Sequence, residues 1–349
     1  MNSFSVKTLA AALAVSMSLA IGAAGAGAQE ITLAVGTSMP PPMPISFMLT
    51  NVLKPRLAEL TGGRLNLEIS LAGSLCSEAS CVEQVKLGQV DMATVSVANY
   101  GGFGSTFEVM TLPYIFQSDA SAEKVFNEFL IDEMRRQGRR NEGLKVIAIA
   151  PMFGFRNLQV TDANIRVPND MKRIKIRVTT SPLDAALISA WGGTPVPVAW
   201  GPTFDALQTK IVKGTYVQNA MYLARTFDSV AGHVVLTGGA YTPMMFFMDK
   251  DKFDSLPDWA RDAINTAGAE LQSQMFKIDA DFIAKFEKRI GDIDVYQPTP
   301  DELALWRAAA LKSWSAADGL YDKGLARRIL EAQDGTAAVI AELERLGAL

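Results

Sequence analysis

Strand-like and helix-like segments alternate along most of this chain, and that order restricts the available folds more than any single motif does. Ile31-Thr32-Leu33-Ala34-Val35 reads as a strand, Ile45 to Leu60 as an amphipathic helix, and Arg64 to Ile69 as a second strand; Thr61-Gly62-Gly63 supplies the helix stop. Cys81 to Leu87 reads as a helix turning at Gly88, and Val90 to Val95 as a third strand. Strand-helix-strand order calls for a mainly parallel sheet with crossover helices, whose ligands gather where the strands end at their carboxyl edge. That edge presents Met39 with its proline-rich neighbours, and Ser96 to Tyr100.

A second alternating set follows the strand-like run Leu144 to Ala150. It comprises strand Ile174 to Val178, helix Pro182 to Trp191, strand Pro195 to Ala199, helix Thr203 to Lys210 and a strand beginning at Gly214-Thr215-Tyr216-Val217. Thr242 to Met248 returns to a buried strand pattern. From Pro257-Asp258 to about Ile290, apolar residues recur at steps of three to four, which reads as a helix of about 50 Å at ~1.5 Å per residue, long enough to span two lobes. Gly268 leaves room for a break. Thr299-Pro300-Asp301-Glu302 is a capping-box start with proline at the first helical position.

Two arginines follow apolar strands. Arg177 stands in Ile174-Lys175-Ile176-Arg177-Val178, and Arg156 lies just past Pro151 to Phe155. A guanidinium stays charged at neutral pH and offers a planar fork of donors that fits a carboxylate in two parallel hydrogen bonds. Each must therefore meet either an Asp or Glu of the same protein or an external anion.

The first residues carry Lys7, an apolar stretch from Leu9 to Ile21, and Ala26-Gly27-Ala28 before Gln29. This is the pattern of a secretory signal over residues 1 to 28, with a mature start at Gln29. An uncleaved anchor is the alternative, but the apolar core is shorter than the ~20 residues a span needs. His233 to Met248, the most apolar later stretch, is broken by Gly238, Gly239 and Pro243. The formal charge of −4 without a long basic run argues against nucleic acid as a partner. Export favours a local disulfide between Cys76 and Cys81, with free buried thiols as the alternative. His233 is the single histidine and sits beside Val234-Val235-Leu236, where a hydrogen-bonded structural role is expected. No G-x-S-x-G, H-E-x-x-H, C-x-x-C, Walker loop or post-strand G-x-G-x-x-G is found, so enzyme classes built on them lose support.

The ordered set Leu87-Gly88-Gln89-Val90-Asp91-Met92, Leu112-Pro113-Tyr114-Ile115-Phe116, Gly154-Phe155-Arg156, Lys175-Ile176-Arg177-Val178 with Ser181-Pro182, Gly192 to Pro197, and Ala206-Leu207-Gln208 resembles the DctP family. These are solute-binding proteins of tripartite ATP-independent periplasmic (TRAP) transporters. The resemblance covers nearly all of the chain after the signal. It implies a two-lobe α/β fold like that of periplasmic binding proteins, with lobe I formed by residues 29–153 plus about 243–283 and lobe II by 154–242 plus about 284–349. It further implies a periplasmic location, a small organic acid held in the cleft, TRAP membrane subunits as partners, no catalysis and no cofactor, a bridging cation remaining open. Arg177 looks like the family's principal carboxylate-binding arginine and Arg156 like its supporting partner. Thr180 is expected to add a hydroxyl donor, Trp200 an aromatic face for the ligand body, and Ser96, Asn99 and Met39 contacts from the first lobe.

Several positions depart from the family pattern. Pro202 stands where an acidic residue is usual, Val212-Lys213-Gly214 replaces Val-Asp-Gly, and Thr215-Tyr216-Val217 replaces Gln-Glu-Asn. The asparagine that commonly touches substrate is absent, so Tyr216 or Gln218 must substitute, or the ligand is apolar there. With Met39, Pro40 to Pro42, Met43 and Trp200 near the cleft, the expected ligand is a monocarboxylate with an apolar or aromatic body. A four-carbon dicarboxylate or 2-oxo acid is the alternative. Rivals of other classes are a secreted hydrolase using two carboxylates and a binding protein serving a membrane sensor.

Overall fold

The structure, a computed structural model, describes residues 30–161, 164–290 and 293–349. The export signal lies outside the described residues. Among those described, no helix is long and apolar enough to cross a membrane.

Among the described residues, eleven strands form two sheets: β1 Ile31–Gly36, β2 Leu65–Ser70, β3 Met92–Ser96, β4 Leu144–Ala150, β5 Phe155–Val160, β6 Lys175–Val178, β7 Thr194–Pro197, β8 Gly214–Gln218, β9 His233–Tyr241, β10 Met244–Asp249 and β11 Asp294–Tyr296. Their orders are β2-β1-β3-β10-β4 and β11-β9-β5-β8-β6-β7. In the first sheet only β10 runs against its neighbours; in the second, only β5 does. The reason is the crossing itself. β4 leaves the first sheet at its carboxyl end and continues as β5 into the second, whose strands point their own carboxyl ends back toward the first. The return from β9 to β10 does the same in reverse. The two carboxyl edges therefore face each other across the crossings.

Apolar residues cover both faces of each sheet. Met245 and Phe247 of β10 join one core and Met244, Phe246 and Met248 the other, the period-two alternation of a strand buried on both sides. In the second sheet Tyr216 and Val217 divide in the same way.

The helix Asp258–Ile290 is continuous through Gly268. A Cβ there would lie 2.8 Å from Ile147 Cγ2 and 3.2 Å from its carbonyl oxygen, so glycine serves close approach to β4 rather than a break. Gln272 covers the open edge of β4, accepting from Ile149 N–H (2.8 Å) and donating to its carbonyl (3.1 Å). Two turns further on, both oxygens of Asp279 accept from Phe153 N–H at 2.9 Å, fixing the first crossing. Burial raises the Asp279 carboxyl to about 7, against the pull of that N–H. Past Thr299, which forms the expected capping box with Glu302, the helix Pro300–Ala316 buries Trp306 and Ala310 beside the second sheet, and Leu311 and Trp314 beside the first.

Candidate ligand-binding site

β6 alternates Ile176 and Val178 into a lobe core and turns Arg177 the other way, where it is 1% exposed. Its Nε donates to the Val198 carbonyl (2.9 Å), and Nη2 has no partner. Among the described residues no carboxylate forms an ion pair with it. Burial pushes its pKa down to about 10 and neighbouring Arg156 adds to this, while Asp184 and Glu78 oppose; at neutral pH the group remains cationic.

Arg156, on β5 and lining the same narrow cavity as Arg177, has an internal carboxylate, although its Nε is unpartnered among the described residues. Its Nη1 donates to both Asp184 oxygens (2.7 and 2.8 Å), with each side chain 4% exposed. Asp184 also accepts from Thr179 Oγ1 at 2.6 Å, and the Tyr216 ring lies 5.2 Å beneath the Arg156 guanidinium. The internal-carboxylate alternative therefore describes Arg156 and not Arg177.

Other unpartnered donors converge on Arg177. Gln218 stands opposite Arg156 in the β5–β8 register and its Nε2 has no partner; the same holds for Trp200 Nε1 and Thr242 Oγ1. These residues, with Met39, Met152, Val217 and Met221, line a narrow cavity of about 20 Å³, little more than one water occupies. Buried donors without acceptors are costly, so such a cluster suits an acceptor-rich guest. Val217 contributes only apolar surface, as its side chain dictates.

A larger cavity of about 370 Å³ adjoins it, walled by Pro40, Ala72 and Ala79 from one side and Pro197 to Pro202 from the other, with Arg225 in its lining. Glu78, Asn99 and Trp200 line both cavities. Glu78 is the residue that sequence reasoning missed. Its Oε2 accepts from Ser96 N–H (2.9 Å), Ser96 Oγ (2.7 Å) and Asn99 Nδ2 (2.8 Å), and Oε1 from Ser38 Oγ (3.1 Å). Ser96 and Asn99 thus reach the site but spend donors on this internal carboxylate. The signal available was an acid bracketed by the two cysteines at a helix start. Those cysteines form the disulfide Cys76–Cys81, with a Cα separation of 5.1 Å.

Thr180 lines the larger cavity and donates to the Asn99 carbonyl (3.1 Å), a bond between the two sheets' loops. Ser181 makes another, to Glu108 (3.0 Å). Tyr216 lines neither cavity: the strand alternation that turns Val217 to the cleft turns Tyr216 inward, edge-on to Trp191 at 5.2 Å. Of the two candidates for the missing asparagine, only Gln218 reaches the cleft. His233 pairs with Asp294 (2.8 Å) across β9 and β11, far from these groups in topology. Among the described residues, no group of three or more His, Cys, Asp or Glu could hold a metal ion.

Comparison with known proteins identifies the family and the fold. The sequence profile of the bacterial extracellular solute-binding protein family 7, DctP, matches residues 36–318. A solute-binding protein of Verminephrobacter eiseniae is 30% identical over 244 residues, covering 67% of this chain and 72% of its own. The C4-dicarboxylate-binding periplasmic protein DctP of Rhodobacter capsulatus is 26% identical over 261 residues, covering 70% and 74%. A TRAP periplasmic solute-binding protein of Roseobacter denitrificans, solved with bound β-D-glucuronate, superposes with a TM-score of 0.79 at 21% identity over 86% of this chain and 98% of its own, which establishes the two-lobe fold. Members of this family are transport proteins rather than enzymes; they bind small organic acids and work with TRAP membrane subunits. The chain belongs to the bacterial extracellular solute-binding protein family 7, the DctP family.

Proposed function

We propose that this protein is a periplasmic receptor that takes a small organic acid between its two lobes through Arg177 and delivers it to a TRAP membrane permease. The observation that carries the proposal is Arg177 itself: a buried cation, without an internal carboxylate among the described residues, at the facing carboxyl edges of two sheets. A carboxylate there exchanges water for charge-assisted bonds to Arg177 Nη2, with Gln218, Trp200 and Thr242 as further donors. Arg156 stays with Asp184 and adds positive potential. We take residues 29–153 with about 243–283, and 154–242 with about 284–310, as the moving lobes; the sequence reading carries the second lobe on to 349, but Leu311, Trp314, Ile329 and Leu330 lie in one core with Phe116, Val125 and Leu130 of the first. Thr180 to Asn99 and Ser181 to Glu108 are their latch, and a ligand touching both sides shifts the balance toward closure.

The mostly apolar wall of the larger cavity, with the Trp200 ring, favours an acid with an apolar or aromatic body. A hydroxylated acid is the second reading, favoured by Glu78: its Oε1 receives only Ser38 and can accept from a ligand hydroxyl. Mass spectrometry of ligand released from denatured protein decides between them. Small-angle scattering with that ligand should show compaction; an unchanged profile at saturation refutes closure.

A further inference from the structure

Glu108 is a carboxyl sealed where the two lobes touch. It opens the short helix Glu108–Thr111 of the first lobe and is 1% exposed. Its Oε2 accepts from Ser181 Oγ of the second lobe (3.0 Å) and from Thr111 Oγ1 (3.2 Å). The Ser181 oxygen itself accepts from the Leu183 and Asp184 N–H groups (3.1 and 3.3 Å) at the start of the helix Pro182–Ala190, so its one hydrogen goes to Glu108. Glu108 Oε1 has no partner among the described residues. A Cβ on Gly101 would collide with it, and the Ala98 carbonyl oxygen lies 3.4 Å from that Cβ position. An ionised Oε1 brings only lone pairs into this space, whereas a protonated one brings a donor. Burying the ion without partners is the costlier of the two states.

Among the described residues, the charged groups that face Glu108 are Asp184 and Arg156, both of the second lobe and bonded to each other at 2.7 and 2.8 Å. The helix Val97–Tyr100 and β9 also pack against it. They bring Tyr100, whose hydroxyl donates to Glu142 (2.9 Å), and Tyr241, set among Phe116, Phe126 and Phe155. Burial raises both phenols, so neither is charged near neutral pH. His233 stands at the far end of β9 with Asp294. Burial first, then Asp184, pushes the Glu108 carboxyl up to about 8, against the two hydroxyls and Arg156.

We propose that closing the lobes loads a proton onto Glu108, so that capture of an acid is accompanied by proton uptake and is favoured on the acidic side of neutrality. This rests on the reading of two moving lobes. When they part, Ser181 and Asp184 leave with the second lobe, water reaches the carboxyl, and the group returns toward its ordinary range and ionises. The proton comes from solvent and goes back to it. Because the closed form holds this proton more tightly than the open one, its advantage is complete below the ordinary carboxyl range and is lost as pH rises to about 8. Between those limits the closed-to-open ratio falls by up to about tenfold per pH unit.

The test is small-angle scattering of the ligand-free protein at pH 6.5 and 8.5, for wild type, Glu108→Gln and Arg177→Gln. Wild type should expand at the higher pH, as its closed-to-open ratio drops roughly tenfold or more. Glu108→Gln, neutral at both pH values, should keep one radius of gyration. An unchanged wild-type radius, or an equal expansion in Glu108→Gln, overturns the proposal. Arg177→Gln, which disables the receptor and leaves the latch, should expand as wild type does, so loss of the pH response and loss of acid binding are separate failures. A second measurement needs no variant: the Glu108 side-chain carboxyl carbon, followed by NMR in the wild type, should titrate with a midpoint above pH 6, against about 4.3 for an ordinary glutamate. A midpoint in the ordinary range overturns the proposal.

Discussion

Replacing Asp184 by Asn separates the structural arginine from the receptor arginine. The change keeps the side chain's shape but leaves the Arg156 cation, 3% exposed, without the carboxylate that now holds it at 2.7 and 2.8 Å. Removing one partner of a buried pair commonly costs about 3–5 kcal/mol, because the remaining charge stays desolvated. At about 2–4 °C per kcal/mol for a chain of this order of size, the melting temperature should fall by roughly 6–20 °C. Urea denaturation, read by tryptophan fluorescence, measures the free energy directly. Ligand affinity should move little or improve, since Arg177 is untouched and Arg156 is released toward the same cavity. A stability loss under about 1 kcal/mol, or a loss of affinity larger than the loss of stability, refutes the division of labour between the arginines.

Three further outcomes follow from the packing. Burial, with Asp184 second, raises the Glu108 carboxyl to about 8, so it is protonated in the fold where an unfolded chain would release its proton. Its contribution is complete below the ordinary carboxyl range and is lost as pH rises to about 8; melting temperature should climb from pH 8.5 down to 5, and Glu108→Gln should flatten that slope, leaving the part due to Asp279. Replacing Cys76 and Cys81 together by Ala should cost about 2 kcal/mol for so short a loop and also weaken ligand binding, because the loop carries Glu78; thermal shift and calorimetry read the two effects. Thr180→Val removes the bond to the Asn99 carbonyl and should enlarge the ligand-free radius of gyration by scattering; an unchanged radius counts against the latch.

Local pattern made much of this legible. β4 spans Leu144–Ala150 as its alternation predicts, and the long helix runs to Ile290 because its apolar stripe never lapses. The reversed strand β5 was not legible: Phe155 to Val160 mixes Arg156, Asn157 and Gln159 with apolar residues, since its polar side chains are satisfied inside the second lobe, by Asp184, the Gly238 N–H and the Val217 carbonyl, rather than by solvent. Residue pattern alone treats Arg177 and Arg156 alike, and only the family resemblance ranks Arg177 first; the placement of Asp184, 28 residues past Arg156, is the physical reason they differ. Glu78 escaped notice because its donors come from two segments remote from it in sequence, Ser38 after β1 and Ser96 with Asn99 after β3.

The measurement that bears most directly on the central claim is the affinity of Arg177→Gln for the acid recovered from the wild-type protein, by titration calorimetry, with the unliganded melting temperature as a check of folding. A folded variant whose binding is weaker by about 2–5 kcal/mol, tens- to thousands-fold, is the predicted result. A folded variant that keeps wild-type affinity contradicts the account.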